Sequence, residues 1–176
     1  MHTDVASITV HISQYTTFTK IYFQFPTPFR FTASILDGLN EKGFNSQLPQ
    51  DAASGDFMVT ENLLSEMYST LTKNGKLLIQ SNCEDVAVHM LNTARQVGFK
   101  PLAFNPTTNP KSELLPRNIP KRALDWQAYG GERASGVYWS SLPILPEYGR
   151  TETEVACMLD GKPVHRCLVV LNETFN

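Results

Sequence analysis

Residues 5–12, VASITVHI, alternate apolar and polar side chains, the period-2 pattern of a half-buried strand. A second strand is predicted over Lys20–Phe25, where KIYFQF is closed by Pro26 and Pro28. Residues 30–56 are mixed, with FTASILDGL suited to a short helix and a loop after it. Periodicity then changes to that of helices. Leu63, Leu64, Met67, Tyr68 and Leu71 fall on one face, with Thr60 placed as N-cap and Asn74-Gly75 as the C-terminal stop. KLLIQS follows as a short buried strand. Val86, Ala87, Met90, Leu91, Ala94 and Val97 make a second helical stripe that Gly98 ends, and FKPLAF supplies the next strand. The order strand, helix, strand, helix, strand over residues 20–104 predicts a parallel sheet covered by helices.

Residues 105–150 lose this regularity. Pro, Asn, Gly and Ser dominate, with Trp126, Tyr129, Tyr138, Trp139 and Tyr148 scattered among them, and the stretch reads as a long insertion or lid loop. Residues 151–172 read as a hairpin, two runs around Asp160-Gly161. There is no internal repeat. At 176 residues the whole chain is expected to form one domain.

Composition narrows the functional classes. Lys+Arg number 15 against Asp+Glu 17, so no global basic field draws in nucleic acid, and any such contact rests on a local patch. Lys111, Arg117, Lys121, Arg122 and Arg133 are the candidates for gripping RNA phosphates, with plain surface solvation the competing reading. Cys83, Cys157 and Cys167 are odd in number and widely spaced, which supports neither a disulfide framework nor a metal site. They are expected as reduced thiols of an intracellular, cytoplasmic or nuclear protein. No apolar run is long enough to span a membrane, and no signal peptide is expected.

Three segments, in order, resemble the tRNA (guanine-N7) methyltransferases, a family of class I S-adenosylmethionine-dependent enzymes. IYFQFPTPF resembles that family's strand and turn, of the form I-Y-x-x-F-P-D-P-W. LLSEMYSTLTKNGKLLIQSNCEDVAVHML is similar to its helix, tight turn, strand, Thr-Asp and Glu-Asp helix start. RTETEVACMLDGKPVHRCLVV resembles its closing T-x-x-E, glycine turn and last strand. The resemblance covers residues 20–104 and 146–172. It implies the C-terminal part of a Rossmann-like sheet, mostly parallel with a terminal antiparallel hairpin. It also implies S-adenosylmethionine as cofactor, held near Phe25 and Pro26; catalytic positions at Thr27 and Asn82; and substrate contacts from Ser81, Thr151 and Glu154. tRNA is the implied partner. The Gly-rich cofactor loop of the family lies upstream of the matched part, so the domain is expected to be incomplete at its N-terminus. A homodimer or a partner subunit is expected to supply the rest.

The departures bear on chemistry. Thr27 stands where the family has an aspartate, Phe31 where it has a lysine, and Ser81-Asn82 where it has Thr-Asp. No G-x-G-x-G occurs in the chain. Guanine N7 is itself a nucleophile, so transfer needs alignment with the sulfonium methyl rather than a strong base. A carboxylate hydrogen bond contributes about 1.5–3 kcal/mol against about 1 for a neutral one. Losing two predicts a weak or silent methyltransferase. The alternative functions are a non-catalytic RNA-binding or scaffold protein and a methyltransferase of another substrate class. Simpler structural roles compete at each position. Pro26-Thr27-Pro28 also serves as a strand stop, and Asn82 as a helix N-cap ahead of Glu84 and Asp85. Thr151 and Glu154 also fit a hairpin strand, and His89, His165 and Arg166 fit the surface or strand pairing.

Overall fold

The computed structural model describes residues 17–25, 59–104, 116–128 (backbone only at Arg122) and 130–172. It is an α/β structure built on one four-stranded mixed sheet. The strands are β1 (Phe18–Gln24), β2 (Leu71–Ser81), β3 (Phe99–Pro101) and β4 (His165–Leu171), and the helices α1 (Glu61–Thr70), α2 (Glu84–Val97), α3 (Lys121–Ala128) and α4 (Glu152–Asp160). The predicted strand over 5–12, the helix within 30–56, Thr27 with its turn, and Lys111 lie outside the described residues.

Sheet order is β1-β2-β4-β3. β1 and β2 pair in parallel, while β4 runs antiparallel to both of its neighbours. The sheet is mixed, with one parallel and two antiparallel pairings: β1, β2 and β3 run in one direction and β4 alone is reversed. The hairpin expected over 151–172 is corrected. Its first run is helix α4, and its glycine turn is a helix end. Thr151 accepts a hydrogen bond from Glu154 N at 3.2 Å as N-cap. Gly161 closes the helix at φ 65, where its N–H and that of Lys162 donate to Met158 and Cys157 carbonyls. Only glycine takes that left-handed conformation at low cost.

α1 forms where predicted, with Thr60 Oγ1 accepting from Leu63 N at 3.1 Å. It stops earlier than predicted, at Thr70, whose hydroxyl donates to the Glu66 and Met67 carbonyls. Leu71 is already extended and pairs with Phe18, and the next registered pair is Lys20 with Lys76. Residues 72–75 are thus looped out of the ladder as a bulge. Gly75 serves that bulge rather than a helix stop. A Cβ there would lie 2.7 Å from Leu71 Cδ2 and 2.9 Å from the Thr72 carbonyl.

The main core lies between the sheet and helices α1 and α2. Leu63, Leu64 and Met67 of α1 and Val86, Met90, Leu91 and Ala94 of α2 cover Leu77, Ile79, Cys167 and Val169. Burying each such large aliphatic side chain is worth about 1.5–3 kcal/mol. Leu78 and Gln80 of β2 are also fully buried, on the opposite face, so both faces of this strand are covered. α3 lies within the stretch expected as an insertion or lid loop. No helix among the described residues is long and apolar enough to cross a membrane.

Candidate functional site

Strand register puts polar side chains in a row. Gln24 of β1 is registered with Gln80 of β2, and Gln80 with Arg166 of β4. The three positions share one face of the sheet, near the carboxyl ends of β1 and β2. In open α/β sheets that edge is where ligands bind. Ser140 continues the row beyond Arg166, its N–H donating to the Arg166 carbonyl at 2.9 Å.

Helix α4 sets Glu154 onto this row. Because Thr151 caps the helix, the side chain three residues on turns inward and is fully buried. Arg166 donates from Nε at 2.9 Å and from Nη2 at 2.6 Å to Glu154 Oε1. Arg166 Nη1 donates to the carbonyls of Ser141 and Val164. Gln80 Nε2 donates to Glu154 Oε2 at 3.1 Å and to Gln24 Oε1 at 3.0 Å. Burial pushes the Arg166 guanidinium below its ordinary value, and Glu154 opposes that shift. Arg166 is therefore a strand-pairing residue, as one of its two expected roles had it, and also a buried ion-pair partner, so the surface role is corrected.

Just beyond lies the start of α2. Ser81 is buried, and its Oγ accepts from Cys83 N at 3.1 Å. Cys83, not Asn82, is the N-cap residue, and it makes no side-chain cap bond. Asn82 Oδ1 accepts from Cys83 Sγ at 3.6 Å. The Asn82 amide also lies beside the Cys157 thiol, which burial pushes up and Asn82 draws back down. Phe25 ends β1 at φ 51 and donates its N–H to the Gln80 carbonyl at 2.7 Å. A left-handed conformation at a bulky aromatic is uncommon and strained. Of the candidate residues, Phe25, Ser81, Asn82, Thr151 and Glu154 thus gather around one sheet edge. Thr27 and Pro26 lie outside the described residues.

A second carboxylate faces the other side of this edge. Glu84, in the first turn of α2, accepts from Arg133 Nε at 2.8 Å, Gln127 Nε2 at 3.0 Å and Ala134 N at 2.9 Å. Burial raises its carboxyl, but these donors outweigh burial and hold it below the usual 4.5. His165, registered with Ser81, is pushed down by burial, pulled up by Glu84 and pushed down by Arg133 and Arg166. The same contacts clasp Gln127 and residues 132–138 to α2. Asn92 donates to Glu132 at 2.8 Å, and Arg95 lies 5.8 Å from the centre of the Tyr138 ring.

Gln80, Glu84, Arg133 and Arg166 were not singled out by sequence reasoning as site residues that touch one another. For Gln80 and Arg166 a signal was present nonetheless: a glutamine closing the apolar run LLI and an arginine heading the apolar run CLVV.

The sulfonium and ribose diol of S-adenosylmethionine call for unneutralised carboxylates, and its close approach to the backbone calls for a glycine-rich turn. At this edge Glu154 and Glu84 are each closed in an ion pair. The chain has no G-x-G-x-G. The described residues do not fit that cofactor. Among them there is also no group of His, Cys, Asp and Glu that could hold a metal ion. No protein-family model matches the chain, and no curated protein or solved structure matches it.

Proposed function

We propose that this chain is a methyltransferase-like α/β domain, related to the tRNA (guanine-N7) methyltransferases, that binds RNA at the carboxyl edge of its sheet and does not transfer a methyl group. The observation that carries this reading is the closed Glu154–Arg166 pair. Glu154 is the acid of the T-x-x-E segment that resembles the family, and here Arg166 and Gln80 use both of its oxygens. Three donors occupy this fully buried carboxylate and Arg166 neutralises its charge, which leaves it little to offer a substrate.

Two further observations support it. The last strand, β4, lies reversed between β2 and β3, which supports a sheet closed by a reversed last strand, although the hairpin that the resemblance implies is replaced by helix α4 and β4. Ser81, Asn82 and Thr151, carried over from separate segments, gather at the same edge as Glu154. Thr151 acts there as a helix cap, and Asn82 presents a neutral amide.

The test has two arms on the full chain. Filter binding of tRNA across a salt series should give a complex that weakens as salt rises. Incubation with tRNA and methyl-labelled S-adenosylmethionine should leave the RNA unlabelled. No complex at low salt removes RNA binding, and label in the RNA removes the claim that the domain is silent.

A further inference from the structure

Helix α4 carries its polar and apolar faces in inverted order. Its inward face holds a carboxylate, Glu154, and a thiol, Cys157, both buried. Its outward face holds two large aliphatic side chains, Val155 at 42% exposure and Leu159 at 80%. A surface helix ordinarily sets its apolar stripe on the core and its charges in water. Arg166 is the cause of the inversion. The helix turns Glu154 inward to meet that buried guanidinium, and the residues one and five positions further on are carried to the outside.

Single exposed apolar residues are common, whereas a contiguous exposed stripe calls for an explanation. Glu152, Val155, Ala156 and Leu159 are all exposed and stand at i, i+3, i+4 and i+7, one continuous helix face. Tyr148, in the short helical turn Glu147–Gly149 that leads into α4, is 94% exposed. Charge is divided between the two ends of this face. The N-terminal end has the exposed carboxylates of Glu147 and Glu152, while Arg150 between them keeps its Nε buried. At the C-terminal end Lys162 closes on Asp160 at 2.7 Å, and Arg117 is the cation left over. Arg117 is exposed and anchored beside Gly161, whose carbonyl accepts its N–H at 2.8 Å.

We propose that this face of α4 docks a second copy of the chain, the two helices packing antiparallel about a two-fold axis near Val155 and Ala156. A two-fold interface uses the same patch on both copies, so the patch must complement itself. A face that is acidic at one end and basic at the other meets that condition in the antiparallel arrangement, where each Arg117 approaches the Glu147 and Glu152 of the second copy. Parallel packing would set like charges together. Ala156 at the axis lets the two backbones approach closely, and each Leu159 is covered by the stripe opposite. The face of one short helix is small for a specific interface, so the dimer exchanges with monomer.

Sedimentation velocity of the full chain from about 5 to about 500 μM tests this, and the chain should pass from monomer to dimer across that range. Leu159→Lys should weaken the dimer at least about tenfold, because a two-fold interface meets each substitution twice. Arg117→Glu and Glu152→Lys should each weaken it about fivefold, as an exposed ion pair counted twice implies. The double variant Arg117→Glu with Glu152→Lys should recover wild-type association, since opposite charges again face each other. A chain that stays monomeric throughout overturns the inference. So does a dimer that Leu159→Lys leaves intact, which another face must hold, and so does a double variant as weak as its two parents.

Discussion

The Glu154–Arg166 pair offers the sharpest test of how this domain is held together. Both side chains are essentially sealed from water, at 0% and 1% exposure. In Glu154→Leu, Arg166 keeps its bonds to the Ser141 and Val164 carbonyls but loses both bonds to the carboxylate, and its charge stays buried without a counterion. Breaking one side of such a pair costs about 3–5 kcal/mol. Arg166→Leu should cost a similar amount, for it strands the carboxylate. The double variant should cost far less than the sum, because replacing both partners with apolar groups is often neutral or stabilising by about 1–4 kcal/mol. Urea unfolding followed by tryptophan fluorescence reads each value. With a slope of about 2 kcal/mol per molar urea, each single variant should lower the midpoint by roughly 1.5–2.5 M. A double variant that loses as much as the two singles together would refute the reasoning, and so would a Glu154→Leu cost below about 1 kcal/mol.

Other outcomes follow from the same geometry. The Glu84 carboxyl is held below its ordinary 4.5, so its contribution is fully present above that value and is lost as pH falls through the lower folded value. Glu84→Gln should flatten the acid limb of the stability profile below about pH 4.5; an unchanged limb contradicts this. Gly131→Ala would drive a methyl group into the Trp126 indole, an overpacking expected to cost about 1–3 kcal/mol and visible in the tryptophan emission; a silent substitution counts against the contact. Burial pushes the Cys167 thiol up to about 12 and raises that of Cys157, whereas Cys83 is only half-buried. Iodoacetamide at pH 8 should therefore label Cys83 first, and label at Cys167 in the native protein would overturn that order. Thr60→Ala and Thr151→Ala each remove a helix cap and should each cost about 1 kcal/mol by urea unfolding.

The hydrophobic stripes made much of this fold readable. α2 and its Gly98 end follow the predicted periodicity closely, because Val86, Met90, Leu91 and Ala94 of the stripe pack into one core. α1 begins at the expected cap but ends before the expected stop. Asn74-Gly75 is a strong stop signal, and only the pairing of Leu71 with Phe18, distant in sequence, shows that the strand has already begun. TETEVACML was the harder case. Thr-x-x-Glu is a helix-start signature, but the glycine beyond favoured a hairpin reading, and no local pattern reveals that Glu154 has a buried arginine waiting in the next strand. The candidate site was legible in part. Ser81, Asn82, Thr151 and Glu154 were on the page as residues, but what they touch depends on sheet register, which neighbouring positions in the sequence do not encode.

The placement of β4 also dictates an order of assembly. This strand is the last of the four along the chain, yet it sits inside the sheet and is the only strand that pairs with β3 among the described residues. On a ribosome, the parallel β1–β2 pair and the helices over it can form while β3 still waits, about sixty residues short of its neighbour. Until residues 165–171 emerge, β2 presents an open flank to solvent and to other nascent chains. Closure of that flank joins the strands farthest apart in sequence among the described pairs, the kind of contact that slows folding, and it sets Arg166 within reach of Glu154.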